Sequence, residues 1–269
     1  MSWWQAVVLG AVEGVTEFLP VSSTGHLILA ACVLRLYGEA VKTFEVVIQA
    51  GALAAVLGLY RAHVASMWHG MLGRDARGRR LLTSLMISFL PAAVVGVLLR
   101  KAIKARLFGV WPVVWALAVG GVVMILADRW LAGHTRRPDK TLQTVTIPEA
   151  VLIGCAQCLA LWPGTSRSMV TILAGLVLGW PATVAAEYSF LLALPTLGAA
   201  TLLDLLTGGR QLFQQVGWAS IVCGYLTAGL VAALAIRRFV QYLTRRGLAP
   251  FGWYRVGLAA MLCVAGMRR

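Results

Sequence analysis

Two short polar segments interrupt an otherwise apolar chain: PVSSTGH at residues 20–26 and PGTSRS at residues 163–168. Each contains a proline, which stops a helix, and several hydroxyl groups; the first also contains a histidine and the second an arginine. Ionisable groups are costly inside a bilayer and are rarely retained there without a function. Non-helical backbone is tolerated at that depth only where protein buries it or where it lines a cavity. The two segments therefore predict a polar site inside the membrane.

Two carboxylates precede the first segment. Glu13 and Glu17 are four residues apart, so in a helix they project from the same face. Carboxylates this close inside a bilayer repel each other, so either one of them is protonated or a cation lies between them. Oxygen ligands favour a hard cation such as Mg²⁺ or Ca²⁺. We predict that Glu13 and Glu17 are catalytic residues that bind a divalent metal.

The hydroxyl groups after the first proline have two explanations. A hydroxyl of Ser22, Ser23 or Thr24 can cap the following helix, because its oxygen accepts from the free amides of the first turn. Capping explains one hydroxyl, but not three that are followed by His26. If Ser23 begins a helix, His26 lies three residues later and within reach of it, which is the arrangement of a nucleophile and its base. We predict that Ser23 and His26 are catalytic and that Ser22 and Thr24 bind phosphate; Ser23, His26 and a water molecule all stay open as the nucleophile.

The second segment is predicted to bind an anion. Ser166, Arg167 and Ser168 fall in the first turn of the next helix, where free amides and the helix dipole favour negative charge. The guanidinium of Arg167 adds two parallel N–H groups that match phosphate oxygens. We predict that Arg167 is catalytic and binds phosphate together with Ser166 and Ser168.

Other polar residues lie in apolar stretches further along the chain. Glu45, Gln49, Glu187 and Ser189 either orient the ligands of the site or hold the helices together by hydrogen bonds. Arg255, near the start of the last apolar stretch, either binds the phosphate or anchors the end of its helix. We include it among the predicted phosphate ligands.

The elements that position these residues are predicted to be transmembrane helices. Hydrophobic residues make up 59% of the 269 residues and charged residues only 13%, whereas soluble proteins average roughly 25% charged residues. Apolar runs close to the ~20 residues of a spanning helix recur along the chain, at residues 46–60, 81–99, 110–127, 184–206, 218–236 and 256–267. We predict an all-α integral membrane protein with about six spanning helices and two re-entrant hairpins.

The two halves of the chain resemble each other. Residues 6–30 align with residues 150–174, which places Gly10 opposite Gly154 and Glu13 opposite Gln157. Chance similarity between apolar segments is the alternative, because such sequences align easily. A hairpin followed by three spanning helices in each half gives the halves opposite orientations, with their broken helices meeting near the midplane. We predict a single domain, residues 1–269, built from inverted repeats at about residues 1–131 and 146–269.

The net charge of +14 comes from 24 basic and 10 acidic residues. Basic residues are frequent around residues 61–80, 129–140 and 237–246, which the predicted spans place on one side of the membrane. The positive-inside rule assigns that side to the cytoplasm and places both termini on the opposite side. No nucleic-acid-binding motif is present, so the charge indicates contact with anionic lipid.

Four segments resemble the signature blocks of a known family: EGVTEFLPVSSTGHL at 13–27, KTFEVVIQAG at 42–51, QCLALWPGTSRSMVT at 157–171 and EYSFLLALP at 187–195. They are similar to those of the bacterial undecaprenyl-diphosphate phosphatases, also called bacitracin-resistance proteins, and the resemblance covers nearly the whole chain. It implies a multi-pass enzyme of the inner membrane that depends on a divalent cation and opens to the periplasm or exterior. Such an enzyme removes one phosphate from a C55 isoprenoid diphosphate and so recycles the lipid carrier of peptidoglycan synthesis.

Position by position, the resemblance implies the same acidic pair, the same serine and histidine, and a phosphate clamp that adds one residue to the set above, Thr171. A secondary transporter or lipid flippase is the alternative function, because inverted repeats and broken helices are also transporter architecture. A homodimer is left open as an assembly.

Overall fold

The computed structural model describes residues 1–36, 38–107, 109–133 and 137–266, and within these ranges all regular secondary structure is helical. The α-helices are α1 (Trp3–Thr16), α2 (Ser23–Val33), α3 (Glu39–Leu59), α4 (Arg61–Met71), α5 (Ala76–Arg106), α6 (Val110–Leu131), α7 (Ile147–Gln157), α8 (Arg167–Val177), α9 (Ala182–Gln215), α10 (Trp218–Arg246) and α11 (Ala249–Gly266). Short 3₁₀ turns occupy Leu142–Thr144 and Cys158–Leu161.

Among the described residues, four helices are long and apolar enough to cross a membrane: α5, α6, α9 and α10. Helices α3 and α4 meet at a bend of 83° and make a fifth span if they are counted together. The apolar part of α11, Ala249–Val264, rises about 24 Å at 1.5 Å per residue, which is less than a hydrocarbon core of about 30 Å. The sixth predicted run, 256–267, falls in this helix, and its residue 267 lies outside the described residues. The prediction of an all-α, multi-pass membrane protein is confirmed.

Two pairs of short helices, α1–α2 and α7–α8, correspond to the predicted re-entrant hairpins. Helices α2, α7 and α8 have 11 residues each and rise about 16 Å, so none of them crosses a bilayer alone. Residues 17–22 join the first pair, and a 3₁₀ turn followed by residues 162–166 joins the second.

Small residues bring the first helix of each hairpin close to a long helix. A methyl group on Gly10 or Gly14 of α1 would lie 2.5 or 2.7 Å from a carbonyl oxygen of α10, that of Gly224 or Ala228. In α7, a methyl group on Gly154 would lie 2.6 Å from the carbonyl oxygen of a serine in α5. Backbones in this contact leave no room for a side chain, as in small-residue interfaces of other membrane helices. Both hairpins are therefore fixed against spanning helices by close backbone packing.

Helix α11 is fixed at its first turn. The carboxylate of Asp128, near the end of α6, accepts hydrogen bonds from the backbone N–H groups of Leu248 (3.0 Å) and Ala249 (3.2 Å). Gly121 and Gly252 then let α6 and α11 approach closely, since a methyl group on either would lie 2.7 Å from the other's carbonyl oxygen. This contact holds α11 beside the hairpin tips.

The start of α5 is likewise fixed by an aspartate that accepts hydrogen bonds from backbone N–H groups. The carboxylate of Asp75 accepts from the hydroxyl of Ser66 (2.6 Å) and from the backbone N–H groups of Arg77 and Gly78. The hydrogen bond from Ser66, followed by those from the backbone, lowers the pKa of Asp75 below its ordinary value. Residues 134–136, in the second basic cluster, lie outside the described residues.

Candidate active site

The two hairpin tips share an unusual backbone conformation. Ser22 (φ 74°, ψ 96°) and Ser166 (φ 72°, ψ 113°) are N-caps of α2 and α8, and both have positive φ although they are not glycine. Each hydroxyl accepts a hydrogen bond from an amide of the next turn, from Gly25 at 3.4 Å and from Met169 at 3.3 Å. Strain of this kind costs about 1–3 kcal/mol per residue and clusters at functional sites.

A buried ion pair joins the two hairpins. Oε1 of Glu17, at the end of α1, lies 3.1 Å from Nη2 of Arg167, the first residue of α8, and both side chains are less than 10% exposed. Nη1 of Arg167 donates to the carbonyl oxygen of Ser189 at 2.7 Å and to its hydroxyl at 3.3 Å. The hydroxyl of Thr171 lies 2.7 Å from that of Ser189, so α9 holds the arginine from behind. Two predicted site residues 150 positions apart are thus in direct contact.

The hydroxyl of Ser23 contacts this ion pair. Its Oγ donates to Oε2 of Glu17 at 2.6 Å, so one carboxylate binds the arginine of the second hairpin and the serine of the first. The serine is partly exposed, and it begins α2 at the positive end of the helix dipole. A hydroxyl held by a carboxylate has a proton acceptor in place.

His26 is bonded to other groups than Ser23. Its Nδ1 lies 2.7 Å from the carbonyl oxygen of Ser22, and its Nε2 lies 2.6 Å from the hydroxyl of Tyr254 in α11. A carbonyl only accepts, so Nδ1 carries the proton, and in the neutral ring Nε2 accepts from the tyrosine. The predicted pairing of Ser23 with His26 is therefore not what the structure shows. The serine, as the first residue of α2, bonds back to α1, whereas the histidine bonds to α11.

Tyr254 is the site residue that the sequence did not reveal. Its ring stacks on that of His26 with centroids 5.6 Å apart and 7° between the planes. Because 228 residues separate the two, and because tyrosines near helix ends are common in membrane proteins, no local signal marks this contact.

Glu13 is buried beside the ion pair and accepts no hydrogen bond from the residues that the structure describes. It is 1% exposed, and both of its carboxylate oxygens lack a partner among the described residues, as does Nε of Arg167. Glu17, Glu45 and Arg167 all interact with it electrostatically. An unpaired buried carboxylate is costly, so this position suits either a proton or a bound cation.

A divalent ion at this position would need ligands beyond the protein's own. In the part of the chain that the structure describes, no group of three or more histidine, cysteine or acidic side chains is arranged to hold a metal. Glu13 fits such an ion, because its oxygens have no hydrogen-bond partner within the described ranges, whereas Glu17 already binds Arg167 and Ser23. Phosphate oxygens and water are the hard ligands that would complete the coordination.

The predicted phosphate-binding hydroxyls fall into two groups. Ser168 donates to the carbonyl oxygen of Leu19 at 2.9 Å, and Thr171 donates to that of Arg167 at 2.9 Å, so both serve the packing of the hairpins. Thr24 is exposed and Ser166 is partly exposed, and these two are accessible to a ligand.

The remaining predicted residues are divided between the site and the helix bundle. Ser189 touches Arg167, and Glu45 lies within electrostatic range of Glu13. Gln49 instead accepts a hydrogen bond at 3.5 Å from a threonine of α9, and Glu187 interacts with Tyr60 and His63 near the bend between α3 and α4. The structure does not bring Gln49 or Glu187 to the ion pair.

Arg255 connects the hairpin tips through the backbone. This fully buried side chain donates five hydrogen bonds of 2.8–3.4 Å to the carbonyl oxygens of Pro20, Ala116, Leu117, Gly164 and Thr165. A guanidinium has five N–H donors, so none remains for a phosphate. The structure therefore contradicts Arg255 as a phosphate ligand and assigns it to positioning both tips, a role hidden from the sequence because backbone carbonyls carry no residue signature.

We expect Arg255→Lys to lower the melting temperature of the purified protein and its activity together. Lysine keeps the charge but has three donors, so at least two of the five buried carbonyl oxygens lose their partner, at about 1–3 kcal/mol each. Gly120→Ala should have the same effect, because its methyl group would overlap the guanidinium of Arg255. Arg129→Lys, at an exposed position of α6, is the control. A normal melting temperature for both Arg255→Lys and Gly120→Ala would contradict the positioning role.

Comparison with known proteins assigns the chain to a family. The family model described as bacitracin resistance protein BacA matches residues 6–261. A protein of Sorangium cellulosum named undecaprenyl-diphosphatase is 50% identical over 97% of this chain and 86% of its own length. Proteins of the same name from Maridesulfovibrio salexigens and Solidesulfovibrio magneticus are 41% and 43% identical, over 97% and 95% of both chains respectively. The chain, whose two hairpins place Glu17 against Arg167, therefore belongs to the BacA family of bacitracin-resistance proteins.

Proposed function

We propose that this protein is an undecaprenyl-diphosphate phosphatase, which hydrolyses the lipid diphosphate to the monophosphate and inorganic phosphate. The observation that carries the proposal is the meeting of two polar hairpin tips at the Glu17–Arg167 pair, beside the buried carboxylate of Glu13, which has no hydrogen-bond partner among the described residues. The names of the relatives support the same reaction. Release of the monophosphate recycles the lipid carrier for peptidoglycan synthesis and confers resistance to bacitracin.

The positive groups of the second hairpin suit a diphosphate. Phosphoryl transfer depends mainly on positioning and on neutralising the charge of the phosphate oxygens. Nε of Arg167 has no hydrogen-bond partner among the described residues, and the first turn of α8 offers backbone amides at the positive end of a helix dipole. Arg167, partly exposed Ser166 and exposed Thr24 are therefore the groups that would bind the terminal phosphate.

The hydrogen bond from Ser23 to Glu17 supports the serine as nucleophile. In this step the Ser23 hydroxyl oxygen bonds to the terminal phosphorus, its proton passes to Glu17, and the bond from that phosphorus to the bridging oxygen breaks. The isoprenoid monophosphate leaves with the bridging oxygen. Water then cleaves the phosphoserine, and Ser23 recovers its proton as inorganic phosphate leaves. His26, held by Ser22 and Tyr254, borders the same hydroxyl segment and positions the tip of the first hairpin.

The carboxylates support a requirement for Mg²⁺ or Ca²⁺. Glu13 would hold the ion, with phosphate oxygens and water as further ligands, while Glu17 stays bonded to Arg167 and Ser23. The bound cation would neutralise part of the negative charge of the diphosphate. A bound cation would also offset the cost of burying the Glu13 carboxylate, because its oxygens accept no hydrogen bond from a described residue.

The helix packing supports the inverted repeat. The repeat matches α1 with α7, α3 with α9, α5 with α10 and α6 with α11. Under this matching, the contact of α1 with α10 corresponds to that of α7 with α5, and the contact of α3 with α10 corresponds to that of α9 with α5. The pairs α3–α9 and α6–α11 map onto themselves.

We place the site on the periplasmic or exterior side of the inner membrane. Labelling of Thr24→Cys by an impermeant reagent from the cytoplasm alone would contradict this placement.

A transporter or lipid flippase is not favoured. Its architecture would share the broken hairpins, but the names of the relatives all describe a diphosphatase. A serine hydroxyl that donates to a carboxylate next to a buried arginine also suits a catalytic site better than a transport pathway.

Phosphate release by the purified protein tests the proposed reaction and the role of Ser23. We expect wild type to release phosphate from an isoprenoid diphosphate, and we expect Ser23→Ala to lose at least about 10³-fold in turnover, because the nucleophile is removed. His26→Ala should lose less, and Tyr254→Phe should resemble it, since the two side chains act through the same contact. Trapping of a phosphoserine in wild type provides the covalent evidence.

Two outcomes would contradict these assignments. Absence of phosphate release by the wild-type protein, tested with Mg²⁺ and Ca²⁺, would refute the phosphatase. Single-turnover incorporation of solvent oxygen into the released phosphate, with full activity of Ser23→Ala, would refute the serine nucleophile and leave water as the attacking group.

Binding of Mg²⁺ or Ca²⁺ tests the role of Glu13 independently of turnover. We expect either ion to raise the melting temperature of the wild-type protein in detergent, because a ligand that binds the folded state stabilises it. Glu13→Gln should abolish this shift, whereas Glu187→Gln, a matched change in an apolar helix away from the ion pair, should keep it. An unchanged shift in Glu13→Gln would place the ion elsewhere.

A further inference from the structure

A cavity with a volume of about 780 Å³ lies between α1, α10 and α11. Val15 and Leu19 line it from the side of the first hairpin. At 100° per residue, Val15 points about 200° away from Glu13, so α1 turns its carboxylates to one side and this cavity to the other. None of Glu13, Glu17, Ser23, His26 and Arg167 lines it.

One face of α10 forms the long wall of the cavity and changes character along its length. Its first part is apolar, with Val231, Leu234 and Ala235. Its second part is mainly basic and polar, with Arg238, Gln241, Tyr242, Arg245 and Arg246 beside Phe239. Spacings of three and four residues place these side chains on one helical stripe, so the cavity has an apolar half and a cationic half.

The change from apolar to basic residues occurs at the depth where a membrane changes in the same way. Arg238 is 20 residues beyond Trp218, the first residue of α10, which is a rise of about 30 Å and matches the thickness of a hydrocarbon core. Val231 lies about 10 Å nearer the middle of the membrane. The arginines are therefore at the level of lipid head groups, and the apolar wall is at the level of acyl chains.

The arginines of the cavity have no acidic partner in the part of the chain that the structure describes. No acidic residue lines the cavity, and the ion pairs of the described residues join Glu149 to Arg137 and Lys140, and Glu17 to Arg167. Arg238, Arg245 and Arg246 are all exposed. Three neighbouring cations with no counter-charge among the described residues favour an anionic ligand, and arginine matches phosphate oxygens in geometry as well as charge.

We propose that this cavity is a binding site for an anionic phospholipid of the bilayer, distinct from the site of the diphosphate substrate. Its phosphate would lie against Arg238, Arg245 and Arg246, and an acyl chain would lie along Val231, Leu234 and the inner residues of α1 and α11. Basic pockets between transmembrane helices bind acidic head groups in this manner. The rings of Phe239 and Phe251, with centroids 5.4 Å apart, both line the cavity as well.

Titration of the purified full-length protein with phosphatidylglycerol, followed by native mass spectrometry in a neutral detergent, tests this site. We expect one phosphatidylglycerol to bind each chain with higher affinity than phosphatidylcholine of the same acyl chains. The triple change of Arg238, Arg245 and Arg246 to Gln should weaken phosphatidylglycerol binding at least about tenfold. Ala235→Trp, which fills the apolar half without changing the charge, should weaken it as well.

The matched control removes the same charge elsewhere. Changing Arg77, Arg79 and Arg80 to Gln takes three exposed cations from the start of α5 and should leave phosphatidylglycerol binding unchanged. Phosphate release in detergent by the cavity variants should equal that of wild type, which separates this site from the proposed reaction.

Four outcomes would overturn the lipid site. Equal loss in the control would reduce the effect to general charge attraction, and equal binding of phosphatidylcholine would remove the need for an anionic head group. Normal binding by Ala235→Trp would place the lipid outside the cavity. Displacement of phosphatidylglycerol by a short-chain isoprenyl diphosphate would assign the cavity to the substrate instead.

Discussion

The ion pair between Glu17 and Arg167 is the contact on which the polar site depends. Taking two charges out of water costs several kcal/mol per ion, and their attraction offsets that cost only with good geometry and further hydrogen bonds. Here Arg167 donates two hydrogen bonds to Ser189, and Glu17 accepts one from Ser23. The same pair ties the end of α1 to the start of α8, so the two hairpins hold each other in register.

The site contains strained backbone and a buried carboxylate, and the surrounding structure must offset the energetic cost of both. Ser22 and Ser166 hold positive φ angles, and Glu13 is buried without a hydrogen bond from a described residue. These costs are offset by the close packing of the first hairpin on α10 and by the five hydrogen bonds of Arg255. The polar groups of both hairpin tips are thereby held in place before a substrate binds, and this is the form of preorganisation that phosphoryl transfer requires.

Sequence patterns predicted the membrane helices, the broken hairpins and the residues of the ion pair, because apolar length and isolated charges are local signals. They did not predict the partners. The acceptors of Arg255 are backbone carbonyls as far as 235 residues away, and the positive φ of Ser22 has no glycine to mark it. The pairing of Ser23 with His26 was wrong because a three-residue spacing in a helix allows contact but does not decide it: the hydroxyl had a carboxylate within reach on α1.

A double-mutant cycle on Glu17 and Arg167 tests the central interaction most directly. Glu17→Gln and Arg167→Gln each leave one buried charge unpaired, so each should lower the free energy of unfolding in bicelles by about 3–5 kcal/mol. The double variant should recover most of that stability but none of the phosphate release, because the pair also provides the charge for the reaction. Additive losses of stability, or substantial activity in the double variant, would contradict a buried ion pair that both joins the hairpins and forms the active site.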